Sequence, residues 1–197
     1  RRDFHLHRIG MRNKAEIPSA LQFVADFDEE MAQWLITSPK RVAKVKEIAK
    51  SNDSAFQKLD ALIEAASGLY ADTGNAAKSN TLLQRLENQC VDVNYNAGET
   101  YAIYRQARIA IGKGDLKEAS RLIQRVHSMP FHNLNPEILG EVHLGSGNLE
   151  LRFGNLEKAI KHLSSAEEAF ARAGKEDRRA SAKINIANVH RKVGQFD

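Results

Sequence analysis

The chain has 197 residues, 42% hydrophobic and 27% charged, a balance that excludes a disordered polymer and leaves ample material for a buried core. Lys and Arg number 29 against 25 Asp and Glu, so the formal charge of +4 demands no polyanionic partner, and no apolar run approaches the roughly 18 residues of a membrane-spanning helix. The single cysteine, Cys90, excludes an internal disulfide and a cysteine-based zinc knuckle, and it points to a cytoplasmic setting.

Four Pro, 12 Gly and few alternating β-branched stretches predict an all-α chain. The opening Arg1-Arg2-Asp3-Phe4 carries no initiator Met and no signal segment, and reads as part of a longer protein. His5-Leu6-His7 places two imidazoles two apart, but no carboxylate or cysteine follows at ligand spacing, so a basic tail is the reading and no metal site is expected. Residues 1–52 read as a divergent helical cap. Ile17, Leu21, Val24, Met31 and Leu35 form one helical stripe, Ser38-Pro39 breaks it, and Val42, Val45 and Ile48 form a second. Phe23, Phe27 and Trp34 either seal the end of the core or offer a partner an aromatic face. The run Lys40-Arg41-Val42-Ala43-Lys44-Val45-Lys46 lacks interleaved aromatics; it reads as a solvated helix face, and nucleic-acid binding is not expected of it.

Beyond the cap the chain repeats. Gly74, Gly114, Gly154 and Gly194 are spaced 40 apart. Seven residues before them stand Ser67, Ala107, Gly147 and Ala187, and five before stand Leu69, Ile109, Leu149 and Val189. After the first three glycines come Ser79, Ala119 and Ala159, then Leu83, Ile123 and Leu163, then Leu86, Val126 and Ala166, each trio in phase. Such offsets describe two amphipathic helices joined by a glycine turn, with small residues letting the backbones approach and aliphatic ones filling the seam. Gly114-Asp115 and Gly154-Asn155 supply a left-handed helix end followed by a cap. Repeats fall at about 53–92, 93–132, 133–172 and an incomplete 173–197. One hairpin cannot bury both faces, so the expected architecture is a right-handed superhelical solenoid of stacked antiparallel hairpins. The final helix would expose Ile184, Ile186, Val189 and Val193, and further repeats or domains are expected beyond Asp197.

Gly114-Asp115-Leu116-Lys117-Glu118-Ala119 and Gly154-Asn155-Leu156-Glu157-Lys158-Ala159 resemble the turn and second-helix start of tetratricopeptide repeats. The stretch from Ala187 to Gly194 resembles the end of their first helix. The resemblance covers about 55–197, with two departures. The period is 40 rather than about 34, and the large aromatic four before the turn is present as Tyr70 but replaced by Ala110, Glu150 and His190. Longer-period repeats of this kind are similar to those of bacterial regulators and of peptide-binding scaffolds.

The resemblance implies a concave groove walled by the first helices, and it carries over Tyr101, Tyr104, Arg105 and Arg108, then Asn148 and Arg152, then Asn185, Asn188, Arg191 and Lys192. Amides that both donate and accept can hold an extended peptide, and the cations can pair with its acidic groups. Alternatively these side chains solvate the wall or bond neighbouring helices. The remaining histidines, His127, His132, His143, His162 and His190, are scattered and read as surface or seam residues, and Cys90 as a small apolar filler. No phosphate loop, nucleophile elbow or dinucleotide fingerprint is present, so neither catalysis nor a cofactor is expected. The expected function is a scaffold that binds a protein or peptide partner, with the effector-sensing segment of a larger bacterial transcription or signalling regulator as the alternative. Neither requires a membrane.

Overall fold

This computed structural model describes residues 55–130 and 134–194. Their regular structure is all α-helical, in seven helices: α1 (Ala55–Thr73), α2 (Ala76–Asp92), α3 (Asn96–Lys113), α4 (Leu116–His127), α5 (Pro136–Arg152), α6 (Leu156–Arg172) and α7 (Glu176–Val193). The cap expected over 1–52, with its aromatic and basic features and His5-Leu6-His7, lies outside the described residues. The chain divides after Ile109, within α3, into two compact units.

The glycines spaced by 40 end α1, α3 and α5. Gly74, Gly114 and Gly154 adopt φ of 68°, 77° and 78°, a left-handed conformation that a Cβ would strain. At the last two, the next amide folds back over the helix end. Asp115 N–H donates to Ala110 O and Asn155 N–H to Glu150 O, both at 2.9 Å, which satisfies carbonyls that the helix cannot. A second set of turns lies 20 residues further on: Asn94 at φ 54° and Gly174 at φ 67°. Tyr95 N–H and Lys175 N–H close them on Cys90 O and Phe170 O at 2.7 and 3.0 Å. The equivalent place after α4 is a longer link. There Ser128 Oγ donates to Arg125 O at 2.7 Å, Pro130 offers no amide, and Asn135 starts α5 by accepting from Glu137 N–H at 2.8 Å.

Two of the second helices are capped as their sequences imply. Asn75 accepts from Lys78 N–H at 3.0 Å and Asp115 from Glu118 N–H at 3.1 Å. Asn155 differs, because its side-chain amide donates to Glu150 at 2.7 Å and makes no cap bond.

The in-phase positions form the seams. Leu69, Ile109, Leu149 and Val189 are buried, as are Ser79, Ala119, Ala159, Leu83, Ile123, Leu163, Leu86, Val126 and Ala166. Of the small residues before the turns, Ala107 and Gly147 are buried, Ser67 is half-buried and Ala187 is exposed. Seam closeness is measurable at Gly147, where a Cβ would lie 2.7 Å from Leu163 Cγ and 3.3 Å from Ala159 O. In the first unit Ser79 Oγ donates to Ala66 O at 2.5 Å. Replacing Ala159 by Leu is therefore expected to cost about 1–3 kcal/mol by overpacking the α5–α6 seam. Urea unfolding of Ala159→Leu measures it, and an unchanged midpoint would contradict the close approach.

The second unit's core gathers Leu144, Leu163, Ala166, Phe170, Ala182 and Val189. The apolar side expected on α7 is divided: Val189 is buried in this core, Ile186 packs partly against it, and Ile184 remains 61% exposed.

Candidate functional site

In the first unit, the groove-wall positions on α3 turn largely inward. Tyr101, Tyr104 and Arg105 are buried, and only Arg108 is exposed. Arg105 forms an ion pair with Glu64 of α1, its Nη2 also donates to Tyr101 Oη at 2.6 Å, and its guanidinium carbon lies 4.9 Å from the centre of that tyrosine ring. The arginine thus ties one first helix to the preceding one. A side chain as enclosed as Tyr104, 1% exposed, presents almost no surface to a partner.

Beside this pair lies a buried polar group of different character. Tyr95 Oη donates to Asp60 Oδ2 at 2.8 Å, while Asp60 Oδ1 is buried without a hydrogen-bond partner. Burial pushes the Asp60 carboxyl from 3.8 up to about 6, the tyrosine bond pulls the other way, and Glu64 adds to the rise. Cys90 is fully buried, and burial, followed by nearby Asp60, pushes its thiol far above the ordinary range. It is a packed, unreactive thiol.

In the second unit, α5 and α7 run side by side in a ladder. Arg178 pairs with the buried Glu141, and Asn185 Nδ2 donates to Asn148 Oδ1 at 3.1 Å. Both rungs join positions 37 apart. Two of the carried-over amides therefore bond each other, each keeping part of its hydrogen-bonding capacity. Arg152, Asn188, Arg191 and Lys192, further along the same helices, are exposed. The other arginines of α7 are engaged, Arg178 with Glu141 and Arg179 with Glu167 and Glu176.

The same unit brings together three histidines that read as scattered in sequence. His127 ends α4, His143 lies on α5 and His162 on α6, with ring centres 5.2, 5.6 and 6.2 Å apart. His143 Nδ1 and His162 Nδ1 are 3.3 Å apart, and His127 Nε2 lies 3.1 Å from Ser146 Oγ. Burial is the main force holding all three below the usual imidazole range, with His143 lowered to about 4. Neighbouring imidazoles add to this at His127 and His143, Arg172 at His143, and Lys161 and Lys158 at His162; Glu150 opposes it at His127 and His162. His190 is exposed, and His132 lies outside the described residues.

A recurrent offset would have found the cluster. Gln106 Nε2 donates to Glu87 Oε2 at 2.6 Å across 19 positions, and His127–Ser146 is the same pairing one repeat later. His143 and His162 also stand 19 apart, across the hairpin itself.

The chain matches no family model, and no curated protein matches it. Among the described residues no helix is long and apolar enough to cross a membrane, and no group of three or more His, Cys, Asp or Glu side chains is placed so that it could hold a metal ion.

Proposed function

We propose that this chain is a protein-interaction scaffold of tetratricopeptide-like hairpins, and that the α5–α7 face of its second unit holds an extended acidic segment. The observation that carries this reading is the division of labour on that face. Arg178 and Arg179 are paired with carboxylates, whereas Arg152, Arg191 and Lys192 stand exposed beside Asn188 and the Asn148–Asn185 pair. Cations steer and pair with acidic side chains, while amides engage a peptide backbone through donor and acceptor together. A superhelical continuation of the hairpins would extend the face, as stacked repeats of this kind do.

The test is fluorescence anisotropy with a labelled, extended Glu/Asp-rich peptide. Binding is expected to weaken as salt rises. Arg152→Glu with Arg191→Glu is expected to weaken it at least about tenfold, or about 1.4 kcal/mol, without changing the unfolding midpoint, because exposed charges add little to stability. Asn188→Ala should weaken binding by a similar factor at every salt concentration. A peptide that binds the double variant as tightly as the unaltered protein would remove the face from the reading.

A further inference from the structure

We propose that the outward line of α7 pairs with the same line of a second copy of this chain, antiparallel, about a two-fold axis through Ile184. The inference goes beyond the scaffold reading and does not depend on it.

Three sides of α7 are already in use. Ala182 and Val189 are buried in the second unit's core, Arg178 and Asn185 bond Glu141 and Asn148 of α5, and Arg179 and Lys183 pair with Glu167 of α6. Facing outward are Asp177, Ala180, Ile184, Ala187 and Arg191, all exposed, with Ile184 at 61%. Steps of three and four residues alternate along them. That spacing keeps one line on an α-helix and is the seam of helices that pair along their length.

The same positions one repeat earlier already receive a helix. Forty residues before Ala180, Ile184 and Ala187 stand Gly140, Leu144 and Gly147 of α5. There α6 lies over them: a Cβ at Gly140 would meet the Phe170 ring at 2.7 Å, and one at Gly147 would meet Leu163 at 2.7 Å. Leu144, packed with Leu163 and Phe170, is 8% exposed. Both lines set a large aliphatic side chain between two small residues, which lets a helix approach closely and close over the middle.

The ends of the line identify the occupant. On α5 the outer positions are Glu137 and Leu151, whereas on α7 they are Asp177 and Arg191, one acidic and one basic. Each lies seven residues from Ile184, about 10.5 Å along the helix axis. Turned antiparallel about Ile184, the line therefore sets Asp177 opposite the partner's Arg191, Ala180 near the partner's Ala187, and Ile184 on the partner's Ile184. Parallel pairing would set like charges together. A surface that complements itself under a two-fold rotation fits an isologous dimer. Lys183, beside the axis, is already balanced by Glu167 at 3.5 Å.

One helix from each copy covers less than the roughly 800 Å² per partner of a stable complex, so the pairing is weak and reversible, with a Kd of about 100 μM. It takes Arg191 from the acidic-segment face and leaves Arg152, Asn188 and Lys192 to it.

The experiment is sedimentation equilibrium of the full chain, with no peptide present, from about 10 to 1000 μM. The average mass is expected to rise toward twice that of the monomer. Ile184→Glu should weaken association at least about tenfold. Val91→Glu, which alters another exposed apolar side chain, should leave it unchanged. Asp177→Arg and Arg191→Asp should each stay monomeric, because each altered line repels its own copy. An equimolar mixture of the two should associate again, since each restores opposite charges to the other. These exposed charges add little to folding, and an unfolded variant could not give that gain. A chain still monomeric at about 1 mM, which would leave the line to a different helix, overturns the proposal. So does association that survives Ile184→Glu or needs Val91, or a mixture that stays monomeric.

Discussion

Phe170→Ala is expected to lower the stability of the second unit by about 3–5 kcal/mol, the range for removing a fully buried aromatic ring. Phe170 is 0% exposed and sits at the junction of α5, α6 and α7. The ring packs directly onto backbone at Gly140, where a Cβ would lie 2.7 Å from Cδ1 and Cε1 of the phenyl group. Its other side faces Arg178, whose guanidinium carbon is 5.8 Å from the ring centre. Truncation opens a cavity that Gly140 has no side chain to fill, and it removes the apolar surface under the Glu141–Arg178 pair. The relation has a converse. Gly140→Ala should destabilise the unaltered protein because the ring must shift, and cost less when Phe170 is Leu. Urea unfolding of the two single variants and the double variant gives the coupling. Additive effects would show that the ring and the glycine are not packed as described.

Which of these features could be read in the chain follows from what recurs in it. Residues at the turn and seam positions occupy the same place in every hairpin, so Gly74, Gly114 and Gly154 carry a visible period, and so do the buried partners of Leu69 and Leu83. Phe170 and Gly140 do not recur. Their counterparts 40 positions earlier are Pro130 and Thr100, and a contact used once leaves no periodic trace. The turns at Asn94 and Gly174 were masked in another way, since either an asparagine or a glycine supports the left-handed conformation and the middle copy is Leu134. The histidines required a half-period. Contacts between the last helix of one hairpin and the first of the next fall 19 apart, a spacing invisible to a search at 40.

The expected groove wall was legible only as positions along each helix. Tyr101, Tyr104 and Arg105 fall at the right height on α3, yet the helix presents them to Glu64 and the core. Rotation about a helix axis is set by the packing of its neighbours, and a family likeness with a longer period does not convey it. On α5 and α7 the same offsets leave Arg152, Asn188, Arg191 and Lys192 on the surface, with Asn148 and Asn185 half-buried.

On acidification from pH 7 to about 4.5, the two units are expected to change stability in opposite directions. Asp60 in the first unit has its carboxyl raised from 3.8 to about 6, mainly by burial. The folded form thus holds its proton over a range where the unfolded form has released it, and stability lost as pH climbs toward 6 returns as pH falls. A rise of that size is worth about 3 kcal/mol at most. The second unit behaves inversely. His143 is lowered from 6.5 to about 4, by burial first and then by His162, His127 and Arg172, while His127 and His162 are lowered as well despite Glu150. Below pH 6.5 the unfolded chain takes up protons that the folded cluster refuses, so its stability declines until the folded imidazoles themselves protonate. Hydrogen exchange, corrected for intrinsic rates, resolves the units separately: protection in α1 and α2 should rise between pH 7 and 4.5 while protection in α5 and α6 falls. Asp60→Asn should flatten the first response and His143→Gln reduce the second. Parallel loss of protection in both units would mean that Asp60 is already charged in the fold, with its buried oxygen satisfied by a partner other than a proton.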